Sequence, residues 1–123
     1  MALFQKQSII LHSGQSSDFK IECDDLSYSD VECLCYLISN RFKFFSVFGV
    51  PSGGEKFANC LKQYCTTNTE DPTLVIDDVL TTGKSMIDFI MENNISLDKT
   101  IGIVIFARGK CPGWITPIFQ LTI

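Results

Sequence analysis

Three apolar segments that alternate with two helical patterns most constrain the fold of this chain. The apolar segments cover residues 42–50, 73–78 and 101–107, and the helical patterns between them cover residues 55–65 and 84–94. Strands with so few polar residues are typically buried on both faces, as in parallel sheets. The β-α-β-α-β order then requires right-handed crossovers whose helices cover the sheet. The sequence therefore predicts an α/β domain built on a parallel sheet.

The regions outside this core predict an N-terminal hairpin, one further helix and a last strand. Residues 8–12 and 18–23 are short β-like runs on either side of a turn-rich stretch. Ser29, with Glu32 three residues later, predicts a capping box at the start of a helix. Residues 116–123 predict a terminal edge strand.

Length and composition limit the chain to one small folded domain. It has 123 residues, of which 46% are hydrophobic and 20% are charged, as in globular proteins. The formal net charge of -4 argues against a broad surface for nucleic acid or for an anionic membrane. The sequence shows no signal peptide and no apolar run of the ~20 residues that a membrane helix needs. We expect a cytoplasmic protein.

The six cysteines favour neither a disulfide framework nor a zinc site. They include no Cys-x-x-Cys pair, and His12 is the single histidine in the chain. Cys33, Cys35 and Cys60 lie in largely apolar helical patterns. We expect buried free thiols that pack as small hydrophobic side chains.

The carboxyl ends of the three predicted core strands are the expected ligand site. In open parallel sheets, ligands bind outside these ends, where the connecting loops meet. The loops here are residues 49–54, 77–85 and 107–114, and glycines and hydroxyl side chains cluster in them. The chemistry of the protein should therefore lie at this edge of the sheet.

The loop at residues 77–85 first suggests an ATP-binding P-loop, because Gly83, Lys84 and Ser85 look like the end of that motif. A P-loop needs a glycine at the position that Asp78 occupies here. A carboxylate at that position would repel phosphate. The sequence therefore argues against a P-loop nucleotide triphosphatase.

The same loop suits a different ligand. Residues 81–85 offer hydroxyl donors, a glycine that permits close approach and backbone amides at the start of a helix, which together suit one phosphate monoester. The neighbouring carboxylates of Asp77 and Asp78 suit the vicinal hydroxyls of a ribose. The pattern indicates a site for a phosphoribosyl group.

Three segments resemble motifs of the type I phosphoribosyltransferases. Residues 74–85, LVIDDVLTTGKS, resemble the phosphoribosyl pyrophosphate (PRPP) binding motif, in which an apolar strand ends in two acidic residues before a Thr-Thr-Gly-x-Ser loop. Residues 47–58, VFGVPSGGEKFA, are similar to the pyrophosphate loop of the family. Residues 11–24 resemble the N-terminal hood of orotate phosphoribosyltransferases. The matching hood residues are Ser13, Gly14, Ser17, Phe19 and either Glu22 or Asp24.

The resemblance implies a Rossmann-like phosphoribosyltransferase core at residues 27–123, with a parallel sheet flanked by helices, and a small hood at residues 1–26. The implied reaction transfers the 5-phosphoribosyl group from PRPP to a nitrogenous base and releases pyrophosphate. The hood favours orotate or another pyrimidine as the base. The family further implies Mg²⁺ as cofactor and a homodimer, to whose interface residues 41–45 could contribute.

The resemblance also assigns roles to individual residues. Asp77 and Asp78 are the implied catalytic residues, which bind the ribose hydroxyls or hold Mg²⁺ through water. The implied PRPP-binding set is Asp77, Asp78, Thr81, Thr82, Gly83, Lys84 and Ser85. The implied pyrophosphate loop is Pro51, Ser52, Gly53 and Gly54. The implied base contacts are Arg108, Trp114 and Phe19, and His12 and Lys20 are further candidates for contact with base or phosphate.

The chain departs from the family in two places. Orotate phosphoribosyltransferases carry a long basic loop that closes over the site, whereas residues 66–72 in the corresponding space are short and acidic. The family tends to have a lysine in the pyrophosphate loop, where this chain has Gly53. Arg108 and Lys110 are the best substitutes for the lost positive charge, and Lys56 lies nearby. The missing loop keeps a second hypothesis open, a PRPP-binding regulatory domain without turnover.

Overall fold

The computed structural model describes residues 2–10 and 16–121, without the side chains of residues 7–10 and 16–18. An N-terminal hairpin precedes a core in which strands and helices alternate. The strands of the described part are β1 (Phe4–Ile10), β2 (Ser16–Ile21), β3 (Ser46–Gly49), β4 (Thr73–Leu80), β5 (Thr100–Ala107) and β6 (Ile115–Gln120). Its α-helices are α1 (Tyr28–Arg41), α2 (Glu55–Leu61) and α3 (Lys84–Glu92), with short 3₁₀ helices at Cys23–Asp25, Lys62–Tyr64 and Leu97–Lys99.

The core is a four-stranded sheet in the order β3-β4-β5-β6, and all of its strands are parallel. β4 and β5 form its centre, where Leu74, Ile76 and Ile103 are completely buried. The predicted α/β class and parallel sheet are confirmed. The predicted terminal edge strand is also confirmed as β6, which follows β5 without an intervening helix.

Two apolar clusters cover the two faces of the sheet. On one face, α1, α2 and the hairpin pack on the strands, with Ile38 of α1 fully buried. On the other face, α3 packs through Met86 and Ile90. Successive side chains of a strand point to opposite faces, so Ile76 of β4 joins the first cluster and Val75 joins the second.

The antiparallel hairpin of β1 and β2 lies in the segment predicted as the hood, and it packs on the face that carries α1 and α2. Ile21 and Cys23 are buried in that cluster. The Phe4 ring meets the Phe106 ring of β5 edge-on, with the ring centroids 5.7 Å apart. Three predicted hood residues, His12, Ser13 and Gly14, and the side chain of Ser17 lie outside what the structure describes.

Helix α1 begins two residues earlier than the sequence pattern predicts. Ser27 is its N-cap: the Ser27 hydroxyl accepts from the Asp30 amide at 3.1 Å, and the Asp30 carboxylate accepts from the Ser27 amide at 3.1 Å. The prediction that Ser29 and Glu32 form the capping box is therefore wrong. The two pairs have the same spacing, so the capping-box pattern by itself does not distinguish between them.

The first core strand is shorter and less buried than its apolar sequence predicts. β3 covers Ser46–Gly49 only, and as an edge strand it pairs with β4 alone. Phe48 is 42% exposed and Phe45 is 40% exposed, whereas Phe44 is only 1% exposed. The prediction of a strand buried on both faces over residues 42–50 is wrong, and Phe44 belongs to the core and not to an exposed surface.

All six cysteines are free. Cys23, Cys35 and Cys60 are buried as predicted, whereas Cys65 and Cys111 are half-buried. The prediction is wrong for Cys33, which is exposed because it lies on the outer side of α1. Among the described residues, the longest helices are too short or too polar to cross a bilayer.

Candidate functional site

The centre of the candidate site is the carboxyl end of β4, where Asp77 and Asp78 follow three buried apolar residues. Asp77 is only 8% exposed, and Asp78 is half-buried. Asp77 Oδ1 accepts a hydrogen bond from the Asp78 amide at 2.8 Å, and Asp78 Oδ1 accepts one from the Val79 amide at 2.7 Å. These backbone contacts hold both carboxyl groups in fixed positions at the edge of the sheet.

The proximity of the two carboxyl groups changes their acid–base behaviour. The pKa of Asp77 lies well above its ordinary value, chiefly because burial disfavours the charged form, and further because the Asp78 carboxyl hydrogen-bonds to it and repels its charge. Like charges this close are stable together only when a proton or a cation accompanies them. The pair is therefore suited to attract a positive ion.

The donor set fits Mg²⁺ bound in the manner of nucleotide enzymes. No group of three or more histidine, cysteine, aspartate or glutamate side chains comes together within the described residues, so that part of the chain forms no all-protein metal cage. Mg²⁺ usually takes one or two carboxylates and completes its shell with water and substrate phosphates. Asp77 and Asp78 can provide that partial set.

The predicted pyrophosphate loop packs directly on this end of β4. The Val50 amide donates to the Ile76 carbonyl at 2.9 Å, and the Gly54 amide donates to the Val50 carbonyl at 2.8 Å. A Cβ atom at Gly54 would lie 2.2 Å from the Ile76 carbonyl oxygen, and one at Gly53 would lie 2.0 Å from Asp78 Oδ2. Position 54 therefore requires glycine, because the clash there is with backbone atoms, whereas a side chain at position 53 would have to displace the Asp78 carboxylate. A lysine cannot stand at position 53 while Asp78 keeps its place.

The loop at residues 81–85 has the geometry of an open anion site. Gly83 adopts a left-handed conformation with φ 86°, and as the N-cap of α3 it supplies no side-chain cap. Thr82 Oγ1 accepts from the Lys84 amide at 3.3 Å. Among the described residues, the amides of Ser85 and Met86 have no hydrogen-bond partner. A helix that begins this way leaves N–H donors for a ligand.

The backbone amide of Lys84 belongs to this loop, whereas its ammonium group pairs with a residue of α3. Its ammonium group lies 2.8 Å from the Asp88 carboxylate, one turn along α3, and both side chains are largely exposed. The hydrogen bond to Asp88, together with the charge of that carboxylate, raises the pKa of Lys84.

Arg108 and Phe19, two of the predicted base contacts, lie against each other beside the site. The Arg108 amide donates to the Leu80 carbonyl at 2.9 Å, which places the residue next to the end of β4. Its guanidinium Nη2 donates to the Phe19 carbonyl at 3.0 Å, and its Cζ lies 4.1 Å from the centroid of the Phe19 ring. Arg108 is 8% exposed, and burial lowers its pKa. The hood and the end of β5 therefore meet at this arginine.

Trp114, the third predicted base contact, lies at the opposite end of the sheet. Its carbonyl accepts from the Gly102 amide at 2.9 Å, and its ring leaves no room for a Cβ at Gly102. Gly102 precedes Ala107 by five residues, which corresponds to about 16 Å along a strand. The structure does not bring Trp114 to a base held by Arg108, because the connection to β6 runs back to the amino end.

The two remaining candidate cations differ in their surroundings. Lys110 is exposed, and its neighbour Gly109 lies against the Thr81 carbonyl. Lys56 reaches the hood instead: its ammonium donates to the Cys23 carbonyl and lies 3.6 Å from Asp24 Oδ1. The sequence pattern gave no signal for this contact, because 33 residues separate Lys56 from Cys23.

Residues 66–72, the short replacement for the basic loop, lie at the amino end of β4, away from the aspartates. Thr66 Oγ1 donates to Asp71 Oδ2 at 2.6 Å, and the Thr66 amide donates to the Phe44 carbonyl at 2.8 Å. This segment is a closed turn that does not reach the carboxyl end of the sheet.

Comparison with known proteins relates this architecture to one group of enzymes. The sequence matches no family model and no curated protein. Among solved structures, orotate phosphoribosyltransferase from Aeropyrum pernix superposes with a TM-score of 0.72 at 20% identity, over 96% of this chain and 88% of that chain. The chain has the type I phosphoribosyltransferase fold.

Two further structures agree with this assignment of the fold. Orotate phosphoribosyltransferase from Mycobacterium tuberculosis superposes with a TM-score of 0.66 at 11% identity, over 96% of this chain and 89% of that chain. UMP synthase from Leishmania donovani gives a TM-score of 0.75 at 16% identity and 97% coverage of this chain, which spans 34% of that protein. Because these identities are low, the likeness concerns the phosphoribosyltransferase fold alone.

Proposed function

We propose that the chain binds PRPP at the carboxyl end of its sheet and transfers the 5-phosphoribosyl group to a nitrogenous base, with release of pyrophosphate. The observation that carries the proposal is the position of the Asp77–Asp78 pair, which touches the glycine loop at Gly53 on one side and leads into the uncapped loop at residues 81–85 on the other. PRPP carries a diphosphate, a ribose and a 5-phosphate in the same order.

The 5-phosphate would bind to residues 81–85. The amides at the start of α3 that have no partner among the described residues, and the hydroxyl groups of Thr81 and Ser85, can donate hydrogen bonds to a phosphate dianion. The nine residues of α3 add the positive end of a helix dipole. Fixing the phosphate there would orient the ribose over β4 and make attack by a bound base effectively intramolecular.

Asp77 and Asp78 would bind the ribose hydroxyls and the water shell of Mg²⁺. The ion, when bound with PRPP, would neutralise charge on the diphosphate as it leaves. The contribution of the chain is to hold the two carboxyl groups in place through the amides of Asp78 and Val79. A positive charge would also offset the repulsion by Asp78, which adds to the burial that chiefly raises the pKa of Asp77.

The base would lie where the hood meets Arg108. The guanidinium group and the Phe19 ring form one stacked unit at this point, so a flat ring with an acidic or carbonyl edge suits the position. Among nitrogenous bases, a pyrimidine such as orotate fits this description best. Trp114 has no part in this assignment.

Calorimetric titration with PRPP, with and without Mg²⁺, tests the proposed site. We expect binding that requires Mg²⁺ and that is lost in the double variant Asp77→Asn/Asp78→Asn. Turnover is then measured as pyrophosphate release with orotate, uracil and hypoxanthine as acceptors. Failure of the wild-type protein to bind PRPP would refute the proposal.

A non-catalytic PRPP-binding domain is the second candidate. It is favoured by the position of residues 66–72, which close on themselves at the amino end of β4 and supply no cover for the site. Its signature would be Mg²⁺-dependent PRPP binding without pyrophosphate release for any of these acceptors.

We further propose a homodimer located in the reducing cytoplasm. The exposed rings of Phe45 and Phe48 on and beside the edge strand β3 offer apolar area for a second copy, and six free thiols suit a reducing compartment. Light scattering of the purified protein measures the assembly directly, and a monomeric mass at micromolar concentration would refute the dimer.

A further inference from the structure

The glycine loop beside Asp78 cannot bring a positive side chain to a diphosphate. Residues 51–54 carry no charged group. A side chain at position 53 would place its Cβ 2.0 Å from Asp78 Oδ2, so it could fit only if the Asp78 carboxylate moved. A leaving diphosphate bears several negative charges, and positively charged groups stabilise their development. Any cation from the chain must therefore reach this loop from a neighbouring element.

Most positive side chains near the carboxyl end are engaged or lie elsewhere. Arg108 is buried against Phe19. Lys84 pairs with Asp88 on the outer side of α3. Lys110 follows Gly109, which lies against the Thr81 carbonyl, so it is near the end of the site that suits the 5-phosphate.

Lys56 is the positively charged residue that lies closest to the glycine loop along the sequence. It lies three residues after Gly53, at the second position of α2, and the Ser52 carbonyl accepts from the Glu55 amide at 3.4 Å in the connecting turn. Its ammonium donates to the Cys23 carbonyl and lies 3.6 Å from Asp24 Oδ1, both in the 3₁₀ helix Cys23–Asp25 that follows the hairpin.

Cys23, whose carbonyl binds the Lys56 ammonium, is buried at the junction of the hood and the core. The pKa of Cys23 is raised to about 12, chiefly by burial and also by the charge of Asp78, while the charge of Lys56 opposes the rise. One thiol is therefore within electrostatic reach of both groups.

We propose that Lys56 is shared between the hood and the ligand: the segment Cys23–Asp25 holds its ammonium in the free protein, and the diphosphate of PRPP takes it over on binding. The inference rests on the proposed function and names a coupling within the same site. Ligand binding then loosens the contact between the hood and α2, so the hood responds to the presence of a diphosphate.

The exposed fractions of the partners favour this exchange. The Asp24 side chain is 86% exposed and its oxygen is 3.6 Å from the ammonium, a geometry in which an ion pair is weak. A diphosphate carries more charge and accepts shorter, charge-assisted hydrogen bonds. The Lys56 side chain is itself 32% exposed, so it can change partners without leaving a buried cavity.

A comparison of two ligands distinguishes a contact of Lys56 with the diphosphate from an effect on the whole binding site. PRPP and ribose 5-phosphate share the sugar and the 5-phosphate, but only PRPP carries the diphosphate. We expect Lys56→Gln to weaken Mg²⁺-dependent PRPP binding by about tenfold or more, as for loss of one charge-assisted hydrogen bond, and to leave ribose 5-phosphate affinity unchanged. Lys56→Arg should restore most of the loss. Lys62→Gln, which removes a lysine from the turn after α2, is the matched control and should change neither affinity.

Asp24→Asn tests the competition by the hood. Removing the carboxylate that shares Lys56 should raise PRPP affinity about two- to fivefold and leave ribose 5-phosphate affinity unchanged. PRPP affinity unchanged in Lys56→Gln, or an equal loss for both ligands, would overturn the role of Lys56. PRPP affinity unchanged in Asp24→Asn would overturn the competition. A wild-type protein that binds neither ligand would overturn the proposed function as well, which distinguishes the two failures.

Discussion

Two polar loops lie at opposite ends of β4 and differ in how their hydrogen-bonding groups are used. At the amino end, residues 66–72 bond among themselves and to the core: Thr66 to Asp71, the Glu70 amide to Asn68, and the Thr66 amide to Phe44. At the carboxyl end of the described structure, one hydrogen bond joins residues 81–85 to each other, from the Lys84 amide to Thr82. Their other contacts run into α3, from the Ile87 amide to the Gly83 carbonyl and from the Lys84 ammonium to Asp88.

The contrast distinguishes a structural turn from a binding loop. A polar loop that satisfies its own donors and acceptors stabilises the fold and has little left to offer a ligand. A loop whose helix amides lack partners within the described part of the chain, next to two carboxyl groups that repel each other, sacrifices stability to remain open. By this criterion the carboxyl end is the candidate site, and the amino end is a structural turn.

The largest expected effect comes from Gly53→Ala at the carboxyl end. The new Cβ would lie 2.0 Å from Asp78 Oδ2 and must displace that carboxylate, which the Val79 amide holds. We expect Mg²⁺-dependent PRPP binding to fall by at least tenfold and stability to fall by about 1–3 kcal/mol. Calorimetry and thermal unfolding measure the two effects.

Gly113→Ala is the matched control for this change, because the described residues beyond its two chain neighbours place no heavy atom within 4 Å of the Cβ it would add. It should leave binding unchanged and alter stability by less than about 0.5 kcal/mol. Undiminished PRPP binding in Gly53→Ala would show that the position of Asp78 does not matter for the site.

An intermediate effect is expected from pH. The pKa of Asp77 is raised in the folded protein, chiefly by burial, so the folded state binds more protons than the unfolded chain above the ordinary carboxyl pKa of about 4. The free energy of unfolding should therefore fall as pH rises from about 4 towards the raised pKa. Asp77→Asn should flatten this decline in melting temperatures recorded between pH 5 and 8.

Mg²⁺ sharpens the same measurement, because the ion replaces a proton at the carboxyl pair. The rise in melting temperature on adding Mg²⁺ should grow with pH in the wild-type protein and be lost in Asp77→Asn/Asp78→Asn. A rise that is independent of pH would mean that the ion binds elsewhere.

The smallest effect is expected at the amino end. Asp71→Ala removes the acceptor of the Thr66 hydroxyl and should lower stability by about 1 kcal/mol without changing PRPP affinity. Glu70→Ala is the matched control, because only the Glu70 backbone amide is bonded in this turn. Weaker PRPP binding in Asp71→Ala would contradict the division of roles between the two ends.

The sequence by itself determined the features that depend on neighbouring residues. Apolar runs of strand length that alternate with helical patterns predict the parallel sheet, and β4, β5 and their helices were found where the pattern placed them. The position of the loop at residues 81–85 could also be predicted, because the strand, the two acidic residues, the glycine and the start of the helix follow one another closely in the chain. Local chemistry and periodicity suffice for such features.

Tertiary structure alone decided the features that join distant residues. It made β3 an edge strand with exposed rings, took Trp114 to the far end of the sheet, and placed Arg108 and Lys56 against the hood. It also raised the pKa of Asp77, since burial depends on what covers the end of β4. Neither periodicity nor motif spacing carries this information, because both describe neighbouring residues. The contact between Lys56 and Cys23 joins residues 33 positions apart, and the contact between Arg108 and Phe19 joins residues 89 positions apart.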